Sequence, residues 1–372
     1  MKNLLTLAII LTSATAFATR SRLNSLGNSP HLSDVATVFG NPSDMAGYKD
    51  SLTLETGLTG GATYTANTGT TAEGLMIRSM GDAKFGFALG HKNPMVNKYR
   101  GMFDSDVAAG QQNPISQQNP FSVMYSAKSG DMAWGAGFDY SNFSNKTTGA
   151  EEKESSMGLN LGARTSMWDA AINLSLGNTW EKGSGATKDD FKGTTGFMIS
   201  GGYNMSSDMY LYAHIMSGGF KSTVDTVDDV NYEQMDYKVG AVSTVKQDAN
   251  EFFYGVALAS TSLKQKTAPA GTKTTTMSLP FIIGLEADAA SWLTVRGSIT
   301  QTVLINDSKT APDTGAATSD FSPGANNTTF AAGAGLKLNA VTLDGNILAN
   351  GSQNLNAGVG NLLGQVGLTY NF

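Results

Sequence analysis

The 372-residue chain carries 43 Gly against 9 Pro, only 15% charged residues, no Cys and a formal net charge of −6. Without Cys there can be no disulfide, thiolate metal site, Cys nucleophile or lipidated N-terminal Cys. A mildly acidic chain with no basic run offers nucleic acid no face to bind, and no spacing of residues suggests a metal or an organic cofactor.

The chain opens with Lys2, then the apolar run Leu4, Leu5, Leu7, Ala8, Ile9, Ile10 and Leu11, then Ala16-Phe17-Ala18. A positive start, a short apolar core and a small-x-small site are the pattern of an export signal. The apolar run is far shorter than the ~20 residues of a spanning helix. Residues 1–18 are therefore expected to leave, with the mature chain beginning at Thr19.

Residues 19–50 have no clean period. Leu26-Gly27-Asn28 leads to Asp34-Val35-Ala36-Thr37-Val38-Phe39 and then to Asn41-Pro42-Ser43-Asp44-Met45-Ala46. This stretch resembles the N-terminal segment of the long-chain fatty acid transporter family. There a Leu-Gly stretch and an Asp-rich turn precede an Asn-Pro-Ala-Gly-Leu motif just before the first strand. Asn41 and Pro42 match that motif, whereas Ser43 and Asp44 stand in place of Ala and Gly. The resemblance covers some thirty residues and implies a hatch inside a barrel that carries hydrophobic molecules. Read without it, Asn41-Pro42 is a turn that launches a strand. The segment is expected either on the periplasmic side or in the lumen.

From Ser51 to Phe372 the dominant period is two. Phe85, Phe87 and Leu89 share one parity, as do Met132, Trp134, Ala136, Phe138 and Tyr140. The same holds for Trp168, Ala170, Ile172, Leu174 and Leu176, and for Met277, Leu279, Phe281, Ile283 and Leu285. Strand side chains point to alternate faces, so each segment has one apolar and one polar face. The strand charges all fall on the polar parity, together with abundant Gly, Ser, Thr and Asn. A lipid-facing surface requires this, because Arg or Lys at mid-bilayer costs ~2–4 kcal/mol. Pro280 interrupts one strand and is read as a bulge.

Short connections near 81–82, 129–131, 165–167, 204–207, 248–250, 289–290 and 339–340 alternate with long ones. That alternation is the signature of short periplasmic turns and long extracellular loops. Seven hairpins, a strand before the first and another after the last give about sixteen strands, with fourteen possible. The expected fold is all-β, a single closed antiparallel transmembrane barrel over 51–372 in the outer membrane of a Gram-negative cell. The last strand alternates Leu362, Gly364, Val366, Leu368, Tyr370 and Phe372 and ends on Phe372. It looks like the terminal strand that the barrel assembly machinery reads, with Tyr370 and Phe372 as the signal. Expected partners are that machinery, outer-membrane lipid and, as an option, further copies of the chain.

The polar parity nominates lumen-lining residues: Arg78, Lys84, Lys128, Asp139, Arg164, Asp169, Lys238, Glu286, Arg296, Lys337 and Asp344, with Glu55 and Asp236. In porins one long loop folds inward and narrows the channel. The loop over 92–119 is the longest between strands and carries Lys92, Lys98, Arg100, Asp104 and Asp106, which suit a charged constriction if it folds inward; the other reading is an exposed surface loop. Glu151, Glu152 and Glu154 read as a solvated acidic loop. Of the three histidines, His31, His91 and His214, His91 is followed by Lys92-Asn93 and His214 by Ile215-Met216, and neither context matches a hydrolytic site, so no catalysis is expected. The leading expectation is a porin-like channel for passive diffusion of small hydrophilic solutes. The alternatives are a fatty-acid-transporter-like barrel for hydrophobic molecules and a non-conducting surface barrel.

Overall fold

A computed structural model of the chain describes residues 19–57, 71–106, 114–147, 150–184, 187–224, 227–267, 270–312, 318–321, 328–350 and 364–372. The export signal over 1–18 lies outside them. The strands are β1 (Ser51–Gly57), β2 (Thr71–Met80), β3 (Ala83–Leu89), β4 (Phe121–Ser129), β5 (Met132–Thr147) and β6 (Ala150–Arg164). They continue as β7 (Trp168–Ser184), β8 (Thr187–Gly193), β9 (Gly196–Ser206), β10 (Met209–Val224), β11 (Val227–Gln247) and β12 (Asn250–Thr267). The rest are β13 (Ala270–Ala290), β14 (Leu293–Pro312), β15 (Thr318–Phe321), β16 (Thr329–Leu338), β17 (Val341–Asn350) and β18 (Gln365–Asn371).

Every ladder is antiparallel, and β1 pairs with both β2 and β18, so the sheet closes on itself. Of the eighteen strands, β8 and β9 lie end to end beside β7 in one register, and β15 extends beyond β16 along β14. The ring therefore has sixteen strands, as the alternation of turns predicts. Closure matters because a barrel leaves no unpaired edge in lipid. The register of β13 against β14 shifts at Ser278/Pro280, where Pro has no N–H to give the ladder.

The outer surface is apolar. Leu54, Trp134, Ile172, Ile199, Tyr237, Leu258, Ile283, Ile299 and Leu368 are all exposed there. For a closed sheet this is a lipid-facing belt, and the chain is an outer-membrane β-barrel.

One strand departs from the expected parity. In β2, Leu75 and Ile77 are buried and point inward, and Arg78 points outward. A shift of one residue in a strand exchanges its two faces. Ring closure fixes the phase here, because Leu75 and Ile77 cover Val35, Val38, Phe39 and Met45 of the N-terminal segment. Arg78 is thus not pore-lining. It lies at the periplasmic rim, 3.5 Å from Asp50 and 5.1 Å over the Phe372 ring.

Candidate functional site

The lumen holds two inserts, one from each end. The first is the segment 19–50, which enters as helix α1 (Arg20–Ser25) and two 3-10 turns over Val35–Phe39 and Pro42–Gly47. Asp34 caps the first turn through a reciprocal pair with Thr37, and Asn41 caps the second, with Pro42 at its first position. Thr19, Leu26, Val38 and Met45 are completely buried. The Asn41-Pro42 motif therefore does more than launch a strand: it is pressed against the wall. A Cβ on Gly162 would lie 1.9 Å from Asn41 Oδ1, and one on Gly135 would lie 2.5 Å from the Pro42 carbonyl carbon. A Cβ on Gly333 would lie 2.5 Å from Ser25. The glycines of the inner parity are sockets that let two backbones approach.

Charge holds the same segment. Arg22 grips Glu286 with two hydrogen bonds, at 2.7 and 3.1 Å, and donates to Asp34 at 3.2 Å. Arg296 donates to Glu286 at 2.7 Å and to Asp344 at 2.6 Å. Burial works against the Arg22 charge, but Glu286 and Asp34 overcome it and hold its pKa above the ordinary value. Arg164 lies 3.2 Å from Asp44 and 4.0 Å from Asp169, and Asp169 also accepts from the Tyr210 hydroxyl at 2.8 Å. Burial pushes the carboxyls of Asp34 and Asp44 up, against the pull of Arg22 and Arg164 respectively. His91 is buried: it stacks on Phe39 at 3.5 Å and lies 3.2 Å from Glu73.

The second insert is the long loop, which does fold inward, as helix α2 (Pro94–Asp106). Arg100 is 2% exposed and bonds Asn178 at 2.8 Å, Glu154 at 3.1 Å and the Ile115 carbonyl at 2.9 Å. Burial lowers the Arg100 pKa from its ordinary value, and Glu154 counters it. Lys98 reaches Asp236 at 2.7 Å and Lys92 reaches Ser116 at 3.0 Å. Asn93 donates to Asp139 at 3.0 Å. Glu154 is no solvated loop residue, since β6 carries it into the lumen, where it is 1% exposed. The side chains of Asp104 and Asp106 lie outside the described residues. Tyr99 of the same helix joins Trp180, Phe191, Phe220 and Tyr232 in a buried aromatic cluster.

The remaining nominated residues fall on the inner face. Lys84 pairs with Asp50 at 3.0 Å, and Lys337 pairs with Asp288 at 2.8 Å. Lys238 lies 5.7 Å over the Tyr212 ring. Lys128 and Arg164 line a periplasmic cleft of about 410 Å³ with Ser33, Asp44, Tyr48 and Asp131. Tyr370 and Phe372 point outward, their rings 5.9 Å apart, and the Phe372 N–H donates to the Asp50 carbonyl at 3.1 Å.

No family model and no curated protein matches the chain. Among solved structures, it is similar to the alcaligin outer-membrane receptor FauA from Bordetella pertussis, at 8% identity and a TM-score of 0.41, over 87% of this chain and 76% of that one. It is also similar to the Ralstonia pickettii toluene transporter TbuX, at 11% identity and a TM-score of 0.38, over 91% and 93%. A porin refined at 1.8 Å matches at 10% identity and a TM-score of 0.37, over 87% and 99%. The fold stands on its own strand pairing, independent of these distant likenesses.

Sequence reasoning missed the anchors Arg20, Arg22 and Glu73. Each is a lone charge in an aperiodic segment or in the strand whose phase was misread, and nothing local marks it. The inner glycines carried a usable signal: a wall parity rich in Gly where a channel wall needs none.

Proposed function

We propose that the chain is a gated outer-membrane channel for small solutes that rests closed, with its own N-terminal segment as the gate. The observation that carries this reading is the filling of the lumen from both ends by α1 with its two turns and by α2. A barrel of this size otherwise encloses an aqueous channel. Opening requires the hatch to leave its glycine sockets, with α2 setting the remaining cross-section. Mixed charges on the inner wall suit passive diffusion of small hydrophilic solutes with weak charge selectivity.

A second reading, passage of hydrophobic molecules, is favoured by the aromatic cluster of Tyr99, Trp180, Phe191, Phe220 and Tyr232 on the lumen side. Outward Tyr370 and Phe372 support the reading of β18 as the signal for barrel assembly.

Planar-bilayer conductance tests the gate. The intact chain should conduct weakly, and removal of 19–50 should give large, lasting openings. Weak conductance after removal of both 19–50 and α2 would overturn the reading. Liposome swelling with sugars, set against uptake of an apolar dye, separates the two solute classes.

A further inference from the structure

Four inward-facing positions lie side by side across neighbouring strands of the barrel wall. Glu73 on β2 pairs with Glu55 on β1, Glu55 with Gly367 on β18, and Gly367 with Asp344 on β17. Three carboxylates thus stand in line with one gap, at Gly367. Like charges directly across strands repel and destabilise a sheet. Something must compensate them, and it must fit over a residue without a side chain.

Thr19 fills that gap. It is 0% exposed, and a Cβ on Gly367 would lie 2.4 Å from its side chain. Its backbone N–H lies within reach of the Asp344 carboxylate, and the next N–H, of Arg20, donates to Glu55 at 2.5 Å. The neighbouring cations are Arg20, 2.8 Å from Glu73, and Arg296, 2.6 Å from Asp344. His91 also faces Glu73 and Arg20. Yet Asp344 Oδ2 and Glu55 Oε2 are buried without a hydrogen bond. Adding Glu286 and Asp34, the connected groups among the described residues comprise five carboxyl groups against the guanidiniums of Arg20, Arg22 and Arg296 and the imidazole of His91. Asp344 and Glu55 each have a donor on the other oxygen, but a buried carboxylate oxygen left without a hydrogen bond is costly, so the site has room for a further cationic donor.

We propose that the ammonium of the mature N-terminus, made by cleavage between Ala18 and Thr19, is a buried structural cation that binds Asp344 and Glu55 over Gly367 and locks the hatch in place. Hydrolysis of that peptide bond consumes one water, leaves the carboxylate on Ala18 and frees the Thr19 amine, which takes up a proton. The new ammonium has three donors, in place of the single N–H of a peptide, over Gly367 and between two wall carboxylates that each keep one oxygen without a hydrogen bond. Processing then does more than release the chain from its export signal: it creates the ion that completes the plug. The idea rests on the export signal and not on which solute passes, so its tests need no transport.

The mature protein purified from outer membranes is first read by intact mass, which should place its first residue at Thr19. An amine-reactive reagent is then applied to the folded barrel in detergent and to the same protein unfolded. Thr19 should label on the order of a hundredfold more slowly when folded, because reaction must wait for local opening. Asp344→Asn should speed labelling and lower the pH at which it sets in, since an opposite charge favours the ammonium. A chain extended by Gly-Ser ahead of Thr19 should assemble as a barrel but expose its hatch to protease. A different first residue, or equal labelling of folded and unfolded protein, would overturn the proposal. That comparison uses the unmodified sequence, so it decides the matter even if Asp344→Asn fails to fold.

Discussion

The two inserts fill one lumen by different means. The hatch is seated backbone against wall: Asn41 and Pro42 lie in sockets at Gly162 and Gly135, and Arg22 ties Asp34 to Glu286. Helix α2 hangs from side chains, chiefly Arg100 on Glu154 and Lys98 on Asp236. Sockets are shape-specific and fail when a single methyl group is added. Ion pairs fail by degrees, according to how deeply they are buried. The hatch is therefore built as an all-or-none closure, and the helix as an adjustable one.

The largest expected effect follows from filling the sockets. Gly135→Val with Gly162→Val should unseat the hatch while leaving the outer belt and strand pairing intact. Single-channel conductance should rise to that of the chain lacking 19–50, with heat-modifiable migration of the barrel unchanged. Closed channels from the double variant would show that the sockets do not hold the hatch.

Next comes the buried anchor of α2. Arg100→Ala leaves Glu154 buried without its cation, a loss of about 3–5 kcal/mol for a pair of this kind. Protease cleavage within the loop should accelerate, and Arg100→Ala with Glu154→Ala should recover part of the loss. Equal loop protection in wild type and Arg100→Ala would put the anchor elsewhere.

Lys98 offers the contrast, because its side chain is 34% exposed. A pair this open contributes about 0.2–1 kcal/mol, so Lys98→Ala should leave α2 docked. Its effect should be on selectivity, with reversal potential moving towards cations. A docking loss as large as that of Arg100→Ala would erase the distinction between the two pairs.

The smallest effect concerns pH. Asp34 and Asp44 have carboxyls raised by burial, so the seated hatch holds their protons more tightly than the released one. The sign follows: the contribution of these two groups is complete below the ordinary carboxylate pKa and is lost as pH rises through the raised value. Between neutral pH and about pH 5 these groups favour closure on acidification. Hatch protection should hold or increase slightly over that range. Release of the hatch in mild acid would mean that another group governs it.

Much of this protein was legible in the chain. Alternation of Trp168, Ile172 and Leu176 with polar neighbours, and of short with long connections, determined a lipid-facing barrel of about sixteen strands. Those features are local: a strand has two faces and a hairpin needs few residues, whatever the rest of the chain does. Length and charges left the loop over 92–119 open between an exposed surface loop and an inward fold, and the structure decided for the inward one. Which side chains meet inside the barrel was decided only by the tertiary structure. Glu154 was read as solvated and became the anchor of Arg100, and Arg78 was read as lumenal and faces outward. Both outcomes depend on strand phase, which ring closure and the packing of Leu75 and Ile77 on the hatch impose from a distance. The sockets at Gly135, Gly162 and Gly367 are equally non-local, because a glycine in a strand says that something comes close and not what it is.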